Sequence, residues 1–215
     1  MQIPLYNRLK RQLHRDIASL QDQILEITYS LDKNAVLHGG TAIWRCFQGN
    51  RFSEDLDFYL SPKNNFKELL TKETGSLGLV LDKCKETKST IYAKVSSGSV
   101  TVRLECALRK FKTPIVKEYE RVDGSYLDVF VLSPEDLLIE KLTAFKNRKL
   151  IRDIYDVYHL SKYVELKGEF MKNVAKLLST LPKPSDEKNL KTIILAGAIP
   201  SYGQMVETLK RRFSQ

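Results

Sequence analysis

Two rhythms of apolar residues divide this chain. Leu9, Leu13, Ile17, Leu20, Ile24, Ile27 and Leu31 recur at steps of three and four, which predicts one long amphipathic helix over residues 5–31. Its outer face carries Arg8, Lys10, Arg11, His14 and Arg15. Val36-Leu37 reads as a short buried strand ending at Gly39-Gly40, and Thr41 starts a helical run through Phe47. Leu56, Phe58 and Leu60 alternate with Asp55, Asp57 and Tyr59, a strand with one face to the core, ended by Ser61-Pro62. Residues 64–74 predict a short helix. Leu79–Lys85, Thr90–Ser96 and Ser99–Leu108 predict strands, the last two joined by the hairpin signal Ser96-Ser97-Gly98-Ser99. In the last of them Val100, Val102, Leu104, Cys106 and Leu108 share one face, and Thr101, Arg103, Glu105 and Ala107 share the other. Residues 109–125 are basic and broken by Pro114 and Asp123-Gly124, so they read as a loop excursion before a strand at Tyr126–Leu132.

From residue 133 onward the pattern is helical. Ser133-Pro134-Glu135-Asp136 supplies a cap residue, a proline at the first position and acids in the first turn. Leu137, Leu138, Leu142 and Phe145 follow. Lys141, Phe145, Arg148 and Arg152 step by four, three and four, which stacks them along one stripe of a continuous helix. Phe170, Val174, Leu177 and Leu181 mark a further helix. Pro182-Lys183-Pro184 breaks it, Ser185-Asp186 is placed to cap the next, and Met205, Leu209 and Phe213 mark the last. The expected organisation is therefore an α/β (α+β) core over residues 1–132, with a mixed β-sheet flanked by helices, and a C-terminal helical region over residues 133–215.

Composition narrows the class. At 215 residues, 42% apolar and 28% charged, the chain can bury one sizeable core, or one core with a helical appendage. An excess of 35 basic over 26 acidic residues gives +9, a balance that favours polyanionic partners such as nucleotides or nucleic acid. Cys46, Cys84 and Cys106 have no metal-ligand spacing, and an odd cysteine count without a secretory leader predicts a reducing, cytoplasmic setting. No apolar run reaches the roughly 18 residues of a membrane span.

The chemistry gathers in Val36–Leu60. Gly39 and Gly40 let the backbone turn sharply and let a ligand approach its amides, and unpaired amides at the helix start after them make an anion site suited to phosphate. Asp55 and Asp57 project together from one strand face. Two such carboxylates repel unless a cation lies between them, and oxygen-only ligation suits Mg²⁺ or Mn²⁺. A phosphate cradle beside a metal-binding pair is equipment for phosphoryl or nucleotidyl transfer.

In this order, Gly-Gly-Thr-Ala at 39–42 followed by Arg-Phe-Ser-Glu-Asp-Leu-Asp-Phe at 51–58 resembles the nucleotidyltransferase superfamily of DNA polymerase β type, and within it the AbiEii/AbiGii toxins of type IV toxin–antitoxin systems. Glu140-Lys141-Leu142-Thr143-Ala144-Phe145 and Arg152-Asp153-Ile154-Tyr155-Asp156 resemble that family's later elements. The resemblance implies an NTP substrate and a third carboxylate on a neighbouring strand. Glu105 fits that place, with Asp128 in reserve. It also implies that Lys141 binds nucleotide phosphates and that Asp153 or Asp156 is needed for activity. Gly39, Gly40, Thr41 and Ser53 are the expected donors to the β- and γ-phosphates. Arg51 either touches phosphate or braces the loop, and Arg148 supports Lys141. Some members of the family resembled add nucleotides to tRNA 3′ ends, which makes tRNA or another RNA the expected acceptor and an antitoxin the expected protein partner. A protein side chain or a small molecule is the alternative acceptor, and a non-catalytic nucleotide- or RNA-binding module the alternative class.

Overall fold

The computed structural model describes residues 3–61, 65–109 and 113–214. Two compact units emerge: Met1–Gln48 with Phe52–Val131, and Gly49–Arg51 with Leu132–Gln215.

The first unit is built on a sheet. A one-turn helix α1 (Leu5–Arg8) and a long helix α2 (Gln12–Leu31) precede β1 (Val36–His38), α3 (Gly39–Cys46), β2 (Leu56–Leu60) and α4 (Phe66–Ser76). Then come β3 (Val80–Glu86), β4 (Thr90–Ser97), β5 (Val100–Leu108), β6 (Ile115–Glu120) and β7 (Tyr126–Val131). Among the described residues these strands form one mixed sheet in the order β3-β4-β5-β2-β1-β7-β6. β2 runs parallel to β5 and β1 parallel to β7, while the other neighbours are antiparallel.

Alternation decides which face is buried. Leu56, Phe58 and Leu60 sit level with Leu104, Cys106 and Leu108 across the β2–β5 pair, and the first five of these six are buried. Helix α2 packs on this side, against β4 and β5, with Ile17, Leu20, Ile24 and Ile27 buried. Each such side chain contributes roughly 1.5–3 kcal/mol by leaving water. The opposite face of β2 and β5 is left for polar residues.

A buried polar knot ties helices to sheet. Arg45 of α3 pairs with Asp22 of α2, whose carboxylate also accepts from the Tyr119 hydroxyl of β6 at 3.0 Å and from the Val122 amide at 2.8 Å. The Arg45 guanidinium stacks over both Trp44 and Tyr119. The Asp22 carboxylate is buried with three partners, whereas Arg45 Nε and Nη1 are buried without a hydrogen bond and face the two rings.

Three expectations for this unit need correction. The helix predicted over residues 5–31 is interrupted. Leu9 adopts an extended conformation and is fully buried, Arg15 Nε donates to its carbonyl at 2.7 Å, and Leu13 is left exposed. Periodicity alone registers Leu9 and Leu13 as one stripe, whereas an extended Leu9 shifts the phase. The loop expected over 109–125 contains β6, an edge strand whose only fully buried side chain is Tyr119, so its polar sequence gives little strand signal. Residues 110–112 of that stretch lie outside the described residues. The Asp123-Gly124 turn does form, closing β6 onto β7. Helix α4 covers Phe66–Ser76 in place of 64–74, and Asn64, like Pro62, lies outside the described residues.

The second unit is helical: α5 (Pro134–Arg148), α6 (Ile151–Leu160), α7 (Gly168–Leu178), a 3₁₀ turn at Glu187–Asn189, α8 (Leu190–Ile193) and α9 (Tyr202–Phe213). Ser133 caps α5 by accepting from the Asp136 amide at 3.1 Å, and Pro134 occupies the first turn. α9 is fixed by a capping box between Ser201 and Gln204, with Met205, Leu209 and Phe213 buried.

Lys141 to Arg152 is not one continuous helix. Lys149 turns left-handed at φ 57° and Leu150 is extended, which ends α5 and starts α6 at Ile151. Asp186 does not cap its own helix. Its carboxylate accepts the Ile151 amide at 2.6 Å and so caps α6 across 35 positions. No helix among the described residues is long and apolar enough to cross a membrane.

Candidate active site

Strand register assembles the first unit's polar face. His38 of β1 lies level with Asp57 of β2, Asp57 with Glu105 of β5, and Glu105 with Tyr92 of β4. One residue from each of four adjacent strands thus forms a row, with neighbouring strands about 4.8 Å apart. His38, Asp57, Glu105 and Tyr92 line a cavity of about 320 Å³, together with Thr90 and Ala107 from the next row. That is the lower end of the range for small-ligand sites. The Tyr59 ring stacks on His38 at 4.0 Å with 3° between planes, and Arg109 lies over the same ring at 4.0 Å.

The glycine turn meets the acids directly. Helix α3 starts at Gly39, so the amides of Gly39, Gly40 and Thr41 belong to its first turn, where no intrahelical acceptor exists. Gly39 has φ +72°, a left-handed conformation, whereas Gly40 is not among the positive-φ residues. A Cβ at Gly39 would land on the Asp57 carboxylate. Both backbone angle and space therefore demand glycine here. The Thr41 hydroxyl is fully buried and donates to the Asp55 carbonyl at 2.5 Å, which ties the start of β2 to α3.

Asp55 stands one strand position before β2, on the same side as Asp57, and Arg103 of β5 grips it. Arg103 Nε donates to one carboxylate oxygen at 2.7 Å and Nη2 donates to the other. Ser53 is nearly buried, and its carbonyl accepts from Gln21 Nε2 at 2.9 Å. Asp128 lies across from Glu118 on the β6–β7 pair, well before the His38 level of the sheet.

The remaining sequence candidates converge in the second unit. Asp153 and Asp156 are one turn apart on α6 and are 0% and 1% exposed. Arg51 forks onto Asp156, with both hydrogen bonds at 2.8 Å, and Lys141 Nζ reaches the same carboxylate at 3.0 Å. Arg148 forks onto Asp153 at 2.6 Å and 2.6 Å, and Lys141 stands 3.9 Å from it. Three cations and two carboxylates thus share one cluster, buried except at Arg148, whose side chain is 45% exposed. Burial pushes the Asp156 carboxyl upward, but Arg51 and Lys141 outweigh it and hold its pKa below the ordinary range. Arg152, expected on the Lys141 stripe, is not part of this cluster, because the helix break at Lys149 resets the phase.

Three features were not visible to sequence reasoning. Arg103 sits on the Glu105 face by simple alternation, but its partner is Asp55, which only the parallel β2–β5 register decides. Tyr92 and His38 join the row for the same reason. Arg51 finds Asp156 across 105 positions, a distance that no local pattern spans.

Among the described residues, no group of three His, Cys, Asp or Glu side chains is already drawn around a common point. Asp57 and Glu105 stand side by side on adjacent strands, and Asp55 is held by Arg103. The donors are all carboxylate oxygens, the chemistry that suits a hard divalent ion. Carboxylates of this kind fit such an ion, with Asp55 engaged by Arg103.

Comparison with known proteins bears on the fold and the family. Over 150 residues the chain is 24% identical to an uncharacterized protein, aq_aa25, of Aquifex aeolicus (strain VF5), covering 69% of this chain and 68% of that one. Its fold matches the crystal structure of JHP933 from Helicobacter pylori with a TM-score of 0.64 at 22% identity, over 96% of this chain and 92% of the other. It also matches MenT4, a nucleotidyltransferase toxin from Mycobacterium tuberculosis H37Rv, with a TM-score of 0.62 at 18% identity, over 95% and 85% of the two chains. The family model for the nucleotidyl transferase AbiEii toxin of type IV toxin–antitoxin systems matches residues 23–196, most of the chain and every candidate residue above. The chain belongs to the AbiEii family of nucleotidyltransferase toxins.

Proposed function

We propose that this protein transfers a nucleoside monophosphate from an NTP to a hydroxyl of RNA, with the 3′ end of tRNA as acceptor, and that the reaction depends on Mg²⁺ or Mn²⁺. The observation that carries this reading is the placement of Asp57. It stands level with Glu105 on one side and against the left-handed Gly39 at the start of α3 on the other. A carboxylate pair beside unpaired helix-start amides matches the two charges of a metal–triphosphate substrate.

In this proposal Asp55, Asp57 and Glu105 hold the divalent ions. Bound there, the ions would supply Lewis-acid stabilisation of charge on the triphosphate and on the attacking oxygen. The acceptor oxygen forms a bond to the α-phosphorus as the bond to the β-phosphate oxygen breaks, and pyrophosphate leaves. Glu105 takes the hydroxyl proton. The amides of Gly39 and Gly40 bind phosphate oxygens, and Ser53, two residues before Asp55, is the proposed further donor. Thr41 and Arg51 act as braces, Thr41 through the Asp55 carbonyl and Arg51 through Asp156. Lys141 is the proposed cation for the nucleotide phosphates, supported by Arg148, with Asp153 and Asp156 fixing both. The family implies an antitoxin as protein partner, and cytoplasmic tRNA as the acceptor sets the proposed location. The +9 net charge supports a polyanionic acceptor.

Gly39→Ala is expected to lower transfer by about 10²-fold, the scale on which an ångström-sized misplacement of a catalytic group acts, because a methyl group there displaces the Asp57 carboxylate. Steady-state kinetics beside a thermal melt checks this. Parental activity in a folded variant contradicts the proposed use of Asp57.

The acceptor is tested by incubating the protein and Mg²⁺ with each α-labelled NTP, with and without total tRNA. Label entering tRNA supports the proposal. Label entering protein or a small molecule selects the alternative acceptors. Label entering nothing under any condition favours a nucleotide- or RNA-binding module without catalysis.

A further inference from the structure

We propose that Arg103 is a positioning residue that holds Asp55 in place and yields it to the divalent cation, so that it sets how much cation the protein needs. The inference rests on the assignment of Asp55 as a cation ligand. Arg103 occupies the β5 position level with Asp55, just before the Leu56–Leu104 pair. Its two-armed hydrogen bond takes both carboxylate oxygens. A cation that binds Asp55 must therefore displace at least one arm of the fork.

The exchange is physically accessible. The Arg103 side chain is 46% exposed and that of Asp55 is 24% exposed. An ion pair this open holds by less than about fivefold. The guanidinium can swing into solvent on its three-carbon stem. Glu105 adds a further attraction to Arg103 from the same strand face, so the guanidinium stands near two of the three acids.

Arginine suits this task better than lysine, because its planar fork fixes the plane and rotamer of the carboxylate as well as its charge. Held this way, Asp55 is already aimed along the Asp57 side of β2. The same fork is a competitor for any ion that binds there. Arg103 thereby exchanges some cation affinity for a preset ligand.

Titration of the full chain with Mn²⁺ alone, read by electron paramagnetic resonance without nucleotide, tests this. Arg103→Gln is expected to tighten Mn²⁺ binding about three- to tenfold, since a competitor and a nearby positive charge are both removed. Arg103→Lys keeps the charge without the fork and should fall between. Asp55→Asn, in parallel, should weaken binding.

Unchanged or weaker binding by Arg103→Gln, with Asp55→Asn weakened, overturns the role of Arg103 and leaves Asp55 as a ligand. If Asp55→Asn binds Mn²⁺ as the parent does, both assignments fall. Thermal melts accompany each titration. If Arg103→Gln does not fold, Arg103→Lys decides alone: binding tighter than the parent supports the role, and parental binding overturns it.

Discussion

Replacing Asp57 with asparagine lowers nucleotide transfer by roughly 10³-fold, the equivalent of losing about 4 kcal/mol of transition-state stabilisation. The substitution keeps the side chain's shape against Gly39 and removes only its charge. Asp57 is half-buried on the polar face of β2, outside the apolar face that holds the sheet to α2. The melting temperature should therefore stay close to the parent's. Single-turnover rates with an α-labelled NTP, measured beside a thermal melt, check both halves. A folded variant with the parental rate removes Asp57 from the reaction.

The second large effect concerns stability. Asp156→Ala leaves Arg51 and Lys141 in a buried site without the carboxylate that both of them contact. Breaking a buried pair by removing one partner costs about 3–5 kcal/mol, because an uncompensated charge remains. Urea unfolding followed by circular dichroism should show the midpoint fall accordingly. An unchanged midpoint would mean that the cluster adds nothing to folding. The pH dependence has a defined sign. The Asp156 pKa in the folded chain lies below the unfolded value of 3.8. Its contribution is therefore complete above that value and is lost as pH falls through the folded pKa. Acid unfolding of the parent should include this loss below about pH 4, and Asp156→Asn should lack it.

Much of this was legible from local pattern. Alternation along Asp55–Leu60 and Val100–Leu108 is enough to set acids on one face and apolar residues on the other. Ser133-Pro134 marks a helix start by capping chemistry alone. Gly39-Gly40 marks a turn whose left-handed +72° angle favours glycine. What local pattern cannot supply is which strands are neighbours. Asp57 meets Glu105 through a parallel pairing of strands separated by α4, β3 and β4, and Arg103 meets Asp55 for the same reason.

The errors share a cause as well. The chain leaves helical backbone between Leu9 and Arg11 and again at Lys149-Leu150, and each break resets the phase between the two stretches it separates. The stripe drawn through Lys141, Arg148 and Arg152 fails at that point. In its place the turn back into α6 gathers Lys141 and Arg148 with Asp153 and Asp156. β6 was hidden because an edge strand with one buried tyrosine carries almost no alternation.

The central claim is that the carboxylates of β2 and β5 receive the metal–nucleotide substrate. It is tested most directly by crystals grown with Mn²⁺ and a non-hydrolysable NTP, with the manganese located by anomalous scattering. The expected result is a manganese peak in contact with Asp57 and Glu105, with phosphate oxygens on the Gly39 and Gly40 amides. Manganese and triphosphate bound away from those four residues would contradict the account.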